Sequence, residues 1–118
     1  MHVILTNNPD VATAYPGLAR YHESTVMGVF TATRDAIHGG ALLISHPLSG
    51  SIKPTESPYK SVIISQKKGS LHYKSLQIIE DAISLLARLP GKNYTYDESI
   101  LKDFRIIDLD LINSGDFV

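Results

Sequence analysis

Two polar clusters hold the residues suited to chemistry. The first is Thr6-Asn7-Asn8, at the end of the apolar run HVILT. The second is the stretch 46–60, HPLSGSIKPTESPYK, which follows the apolar run ALLIS. Within it Ser49-Gly50-Ser51 has the parts of an anion cradle: a flexible backbone that can present N–H groups and two hydroxyl donors. Lys53, two residues on, supplies a charge. Asn8-Pro9 adds a helix start, whose free N–H groups and positive dipole end also favour an anion. The ligand group for such a cluster is a phosphate or a carboxylate. The same Ser-Gly-Ser triplet also serves in plain turns, and no Walker or dinucleotide fingerprint is present.

Histidine is the side chain whose ordinary pKa lies near neutrality, which makes His46 the single general-base candidate in this region. Ser45, Ser49 or Ser51 would be the nucleophile beside it, with Glu56 or Asp10 orienting the ring. No G-x-S-x-G elbow supports that reading, and a histidine at a strand end also serves as a backbone cap. Metal binding is not expected. His2, His22, His38, His46 and His72 show no i, i+3 or i, i+4 pairing, and there is no cysteine. Tyr59, Tyr73, Tyr94 and Tyr96 are spaced as loop or surface-core aromatics rather than as a base-stacking platform.

The chain is 118 residues long, 43% apolar and 19% charged, with a formal net charge of −1. A chain of this length forms one domain, 1–118, and buries roughly two-thirds of its unfolded surface. Without cysteine it has no disulfide, zinc knuckle, thiol nucleophile or dithiol redox centre. Its scattered basic residues give no footprint for nucleic acid. No signal peptide is recognisable, and no apolar stretch approaches the roughly 20 residues that span a bilayer. The expectation is a soluble, cytoplasmic protein. Charge is uneven: residues 97–118 carry a net −4 and the first 96 a net +3. The acidic segment reads as a solvated face, or alternatively as an interaction tail.

The clusters must be positioned by the surrounding elements. HVILT at 2–6 reads as a buried strand, and Asn8 as the N-cap of a short helix with Pro9 in its first position. Tyr15-Pro16-Gly17 stops that helix. A second short strand falls within 18–24. Val26, Val29, Phe30, Thr33 and Ile37 mark one face of a helix that ends at Gly39-Gly40. ALLIS at 41–45 and SVIIS at 61–65 do not alternate, so both read as strands covered on both faces. The 46–60 segment between them contains no crossover helix, so the pair is antiparallel or non-adjacent. The widest apolar stripe predicts a helix over 71–89, capped by Ser70 and closed by Pro90-Gly91. Residues 104–108 read as a last strand, with a helical turn over 109–113.

These elements amount to a small three-layer α/β sandwich, with helices flanking a mostly parallel sheet of four or five strands. If the strands 2–6 and 41–45 are parallel and close, their C-terminal ends bring Thr6, Asn7 and Asn8 toward His46, Ser49, Gly50, Ser51 and Lys53. Pro47, Pro54 and Pro58 stiffen the loop, which lowers the entropy lost on ordering and suits it to binding.

Three segments together resemble the GrdX family: TNNP at 6–9, HPLSGSIKPTESPYKSVIIS at 46–65 and DFRIIDLDLI at 103–112. The likeness runs over nearly the full length and is strongest in the middle segment; residues 10–30 carry none of it. The family-like positions are Asn7, Asn8, Pro9, His46, Pro47, Gly50, Lys53, Pro54, Glu56, Pro58 and Tyr59. The resemblance implies association with the gene clusters of glycine, sarcosine and betaine reductases. It brings no assigned catalytic activity and therefore no catalytic residue. Lacking cysteine, this chain cannot perform the thiol chemistry of those reductases itself.

The leading expectation is therefore a non-catalytic accessory protein without a cofactor, binding a reductase component or a small anion through 46–60. A small enzyme using His46 and Lys53 on a carboxylate or phosphate is the alternative. A purely structural homo-oligomer is the third.

Overall fold

Branched residues at both ends of the chain's middle build the two longest strands of the computed structural model, which describes residues 2–50, 53, 55–66, 69–90 and 95–115. β1 (His2–Thr6) and β3 (Ser61–Ser65) pair antiparallel, with Ile4 opposite Ile63 and Thr6 opposite Ser61. β2 (Ala19–Tyr21) pairs parallel to the other side of β1. The sheet order is β2-β1-β3.

Side chains alternate across these strands, so each layer of helices receives its own set. Val3, Leu5, Val62 and Ile64 face α2 (Val26–His38) and α3 (Tyr73–Arg88). Ile4 and Ile63 face α1 (Pro9–Ala14) and α4 (Glu98–Ser114), where Val11 and Ile112 pack on them. Phe30, Ile4, Ile37, Ile63 and Ile79 are fully buried, each such side chain contributing about 1.5–3 kcal/mol.

Local signals account for most element ends. Asn8 caps α1, its Oδ1 accepting from the Asp10 N–H at 3.0 Å, and Pro9 takes the first helical position as expected. All five residues of the predicted α2 stripe are buried. α2 ends at Gly39, and Gly40 turns the chain at φ 102°. A Cβ on Gly40 would lie 2.2 Å from the Gly69 carbonyl oxygen, so only glycine fits. α3 is capped by His72, whose Nδ1 accepts from the Ser75 N–H at 3.2 Å, and not by Ser70.

Three expectations need correction. The sheet is mixed, with three strands among the described residues, where four or five mostly parallel ones were expected. Residues 41–45 lie antiparallel along β3, bridging at Leu43–Ile64, yet form no regular strand. Side-chain hydroxyls take the places of the ladder. Leu42 N–H donates to Ser65 Oγ, Leu43 N–H to Ser75 Oγ, and Ile63 N–H to Ser45 Oγ. The N–H groups of Ile44 and Ser45 both converge on the Ile63 carbonyl. Residues 104–108 belong to α4, not to a strand. Their inward positions are Leu101, Phe104, Arg105, Asp108, Leu109 and Ile112, a helical period disguised by two charged residues on the inner face. Among the described residues no helix is long and apolar enough to cross a membrane.

Candidate functional site

The pairing of Thr6 with Ser61 sets two hydroxyls side by side at one edge of the sheet, with Oγ atoms 2.7 Å apart. Thr6 Oγ1 accepts from the Asn8 N–H at 2.9 Å. Ser61 Oγ donates to Asp108 Oδ2 at 2.7 Å. A hydroxyl has one proton to give, so with Ser61 committed to Asp108 the Thr6 hydroxyl donates to Ser61. The order is Asn8 N–H to Thr6, Thr6 to Ser61, Ser61 to Asp108. Asn8 Nδ2 closes the ring on Asp108 Oδ2 at 3.0 Å and also donates to the Arg105 carbonyl at 2.9 Å.

Asp108 comes from the inner face of α4 and is 7% exposed. Burial raises its pKa above the ordinary carboxylate range; hydrogen bonds from Ser61 and Asn8 and the nearby Lys60 charge oppose the rise. Lys60 is affected in the complementary sense. Burial lowers its pKa, and attraction to Asp108 partly restores it. The two form no direct ion pair. Lys60 Nζ donates to the Ser49 carbonyl at 3.0 Å, and its backbone N–H donates to Asn7 Oδ1 at 2.8 Å. The Asn7 amide also donates to the Ser24 and Pro58 carbonyls, both at 2.8 Å, clipping residues 58–60 to the entry of α2.

Between α4 and residues 49, 50, 53, 57, 59 and 60 lies a cavity of about 620 Å³, within the range of small-molecule sites. One wall is apolar, formed by Val26, Phe104, Ile107 and Leu111. Ser49, Gly50, Lys53, Ser57, Tyr59 and Lys60 line the loop side, and Asp108, Asp110, Asn113 and Ser114 the helix side. Gly50 adopts φ 106°, and a Cβ there would stand 3.2 Å from Leu111 Cδ2. Its conformation brings the loop backbone onto α4. Arg105 secures the other end of the wall. It donates to the Tyr59 hydroxyl at 3.0 Å, pairs with Glu98, and sits 5.6 Å from the Tyr59 ring centroid.

The sequence-predicted residues divide into three groups. Ser49, Gly50 and Lys53 line the cavity. Thr6, Asn7 and Asn8 stand behind it, their side chains engaged in holding Asp108 and Lys60. His46 is exposed and away from the cavity lining, its Nδ1 accepting from the Leu48 N–H at 3.1 Å. Ser49 Oγ donates to the His46 carbonyl rather than to its ring, and Ser45 Oγ accepts from Ile63 N–H. Ser51 lies outside the described residues. Among the described residues no group of three or more metal-ligating side chains converges.

Residues 41–45 and β1 do run in the same direction, each antiparallel to β3, but β3 lies between them. Convergence of the two polar clusters therefore passes through β3 and its lead-in, Lys60-Ser61. Lys60 and Asp108 were not singled out from sequence. Asp108 looked like one of several acids in a negatively charged segment. Its signal was helical: it falls on the same face as Leu101, Phe104 and Ile112. The acidic segment also has structural work, since Asp97 caps α4 and Glu98 pairs with Arg105.

A family model described as GrdX-like protein matches residues 3–115, nearly the whole chain. No curated protein and no solved structure matches it. The chain belongs to the GrdX-like family.

Proposed function

We propose that this GrdX-like chain is a non-catalytic, cytoplasmic accessory protein of glycine and betaine reductase metabolism that takes a small carboxylate or phosphate into the cavity beside α4. The observation that carries the reading is the composition of that cavity: a lysine-bearing loop facing an apolar helix wall across about 620 Å³. Lys53 supplies the charge for the anion, and Lys60 and Ser57 supply further donors. Burial biases Asp108 toward its neutral form, which reduces repulsion of an anion from the opposite wall. Asp110 is exposed, where solvent screens it. The family resemblance supports the metabolic setting, and the absence of cysteine supports a role beside the reductases rather than in their thiol chemistry.

A thermal-shift series with inorganic phosphate, acetyl phosphate, glycine and betaine tests this. A ligand at about 100 times its Kd adds about 2.7 kcal/mol to stability, and the shift should disappear in Lys53→Ala. If no compound shifts the melting temperature, the anion reading falls. A docking role then leads, favoured by the exposure of Ile100, Ile106 and Ile107 on α4.

A further inference from the structure

Lys60 is half-buried and borders the cavity, and burial lowers its pKa. Its placement is fixed at both ends, by Asn7 at the backbone and by the Ser49 carbonyl at Nζ. That single carbonyl uses one N–H. That bond lies on the exposed side of the residue, so the amine stays open to the cavity, and in its neutral form it keeps the bond and retains a lone pair. Asp108 lines the same cavity. Its Oδ2 takes both side-chain donors, Ser61 and Asn8, and Oδ1 takes neither. The Ser61 backbone N–H is a further donor to the carboxyl.

We propose that Lys60 and Asp108 form a covalent carbonyl-capture site, in which the Lys60 amine condenses reversibly with an aldehyde or 2-oxo acid held in the cavity. The inference deepens the small-anion reading, on which it rests for the ligand's location: Lys53 takes the carboxylate and Lys60 the carbonyl carbon. The Nζ lone pair adds to that carbon and the carbonyl π pair moves to oxygen. Oxygen takes a proton from Nζ to give the carbinolamine. Asp108 then gives its carboxyl proton to the carbinolamine hydroxyl, the C–O bond breaks, and water leaves as the nitrogen lone pair forms the C=N bond. The products are a protonated imine and the Asp108 carboxylate, so a neutral pair has become an attracting pair of opposite charges. No electrons are gained or lost. Burial favours the starting state on both groups, lowering the pKa of the amine and raising that of the acid.

The test uses the full chain, glyoxylate and cyanoborohydride at neutral pH, with the reduced carboxymethyl adducts mapped by peptide mass spectrometry over time. Lys74 and Lys102, both exposed on helices, are the internal comparators. Each pKa unit by which an amine is lowered raises its free fraction about tenfold, so Lys60 should be labelled first and well ahead of both. In Asp108→Asn the Lys60 rate should fall toward that of the comparators, and Lys60→Arg should remove the early adduct. Labelling of Lys60 no faster than Lys74 and Lys102 overturns the proposal, and so does unchanged labelling in Asp108→Asn. The two readings fail separately. A phosphate-induced thermal shift without selective Lys60 labelling leaves the anion site standing and removes the covalent step. Selective labelling without a phosphate shift does the reverse.

Discussion

Replacing Asp108 by asparagine and by alanine separates the shape of the buried acceptor from its charge. Asp108 Oδ2 receives Ser61 Oγ at 2.7 Å and Asn8 Nδ2 at 3.0 Å. An asparagine carbonyl oxygen can occupy that position and accept both, whereas alanine removes it and leaves two buried donors short of an acceptor. Each unsatisfied buried donor costs about 1–3 kcal/mol. Asn8 keeps the Arg105 carbonyl for its other amide proton, and the two donors share one oxygen. The alanine variant should therefore lose about 2–4 kcal/mol. For a domain of this size, 1 kcal/mol shifts Tm by about 4 °C, so Asp108→Ala should melt about 8–16 °C below wild type.

The asparagine variant has the opposite sign. Burial raises the Asp108 pKa, so the folded state favours the protonated form. The stability this provides is complete below the ordinary carboxylate value of about 3.9 and is lost as pH rises through the raised value. At neutral pH asparagine escapes that loss, and its stability should equal or exceed that of wild type. It should also flatten the decline in stability that this group causes as pH rises above the ordinary carboxylate value of about 3.9. Urea unfolding followed by far-UV circular dichroism measures both variants, the chain having no tryptophan. An asparagine variant as unstable as the alanine one at neutral pH would refute the reasoning, because the charge itself would then be holding α4 in place.

Two further outcomes are expected. Asn7→Ala removes three hydrogen bonds, to Ser24, Pro58 and Lys60; at about 1 kcal/mol each it should cost about 3 kcal/mol in a urea titration. Gly50→Ala combines a positive φ with a tight contact to Leu111. It should lower stability by about 1–2 kcal/mol, and a ligand-induced thermal shift should shrink with it.

The parts of this fold legible in the sequence are those where one local rule dominates. Asn8-Pro9 announces a helix start, and Val26, Val29, Phe30, Thr33 and Ile37 repeat at the helical period without interruption. SVIIS is read correctly as a strand because branched side chains suit both of its covered faces. The errors arise where tertiary partners override the local pattern. ALLIS is likewise a continuous apolar run, but Ser65 and Ser75, distant in sequence, accept from its Leu42 and Leu43 N–H groups, and its own Ser45 Oγ accepts from the Ile63 N–H. In α4 the inward face includes Arg105 and Asp108, so an apolar-period reading skips the positions that matter most. The site shares that difficulty. Ser49, Gly50 and Lys53 are visible as a flexible, donor-rich loop, whereas Lys60 and Asp108 acquire their character only from burial.

The ring that joins Asn8 to Asp108 spans 100 residues of chain. Bringing such distant segments together is slow, because the loop-closure entropy is lost before the contact compensates for it. On the ribosome, β1 and α1 emerge long before α4, and Ile4 and Val11 have no Ile112 to cover them during that interval. At elongation rates of about 5–20 residues per second, that exposure lasts several seconds. The opposite layer, α2 and α3 on Val62 and Ile64, can pack earlier. Assembly of the cavity is therefore the late step of folding, and a nascent chain acquires its site only when its last described helix docks.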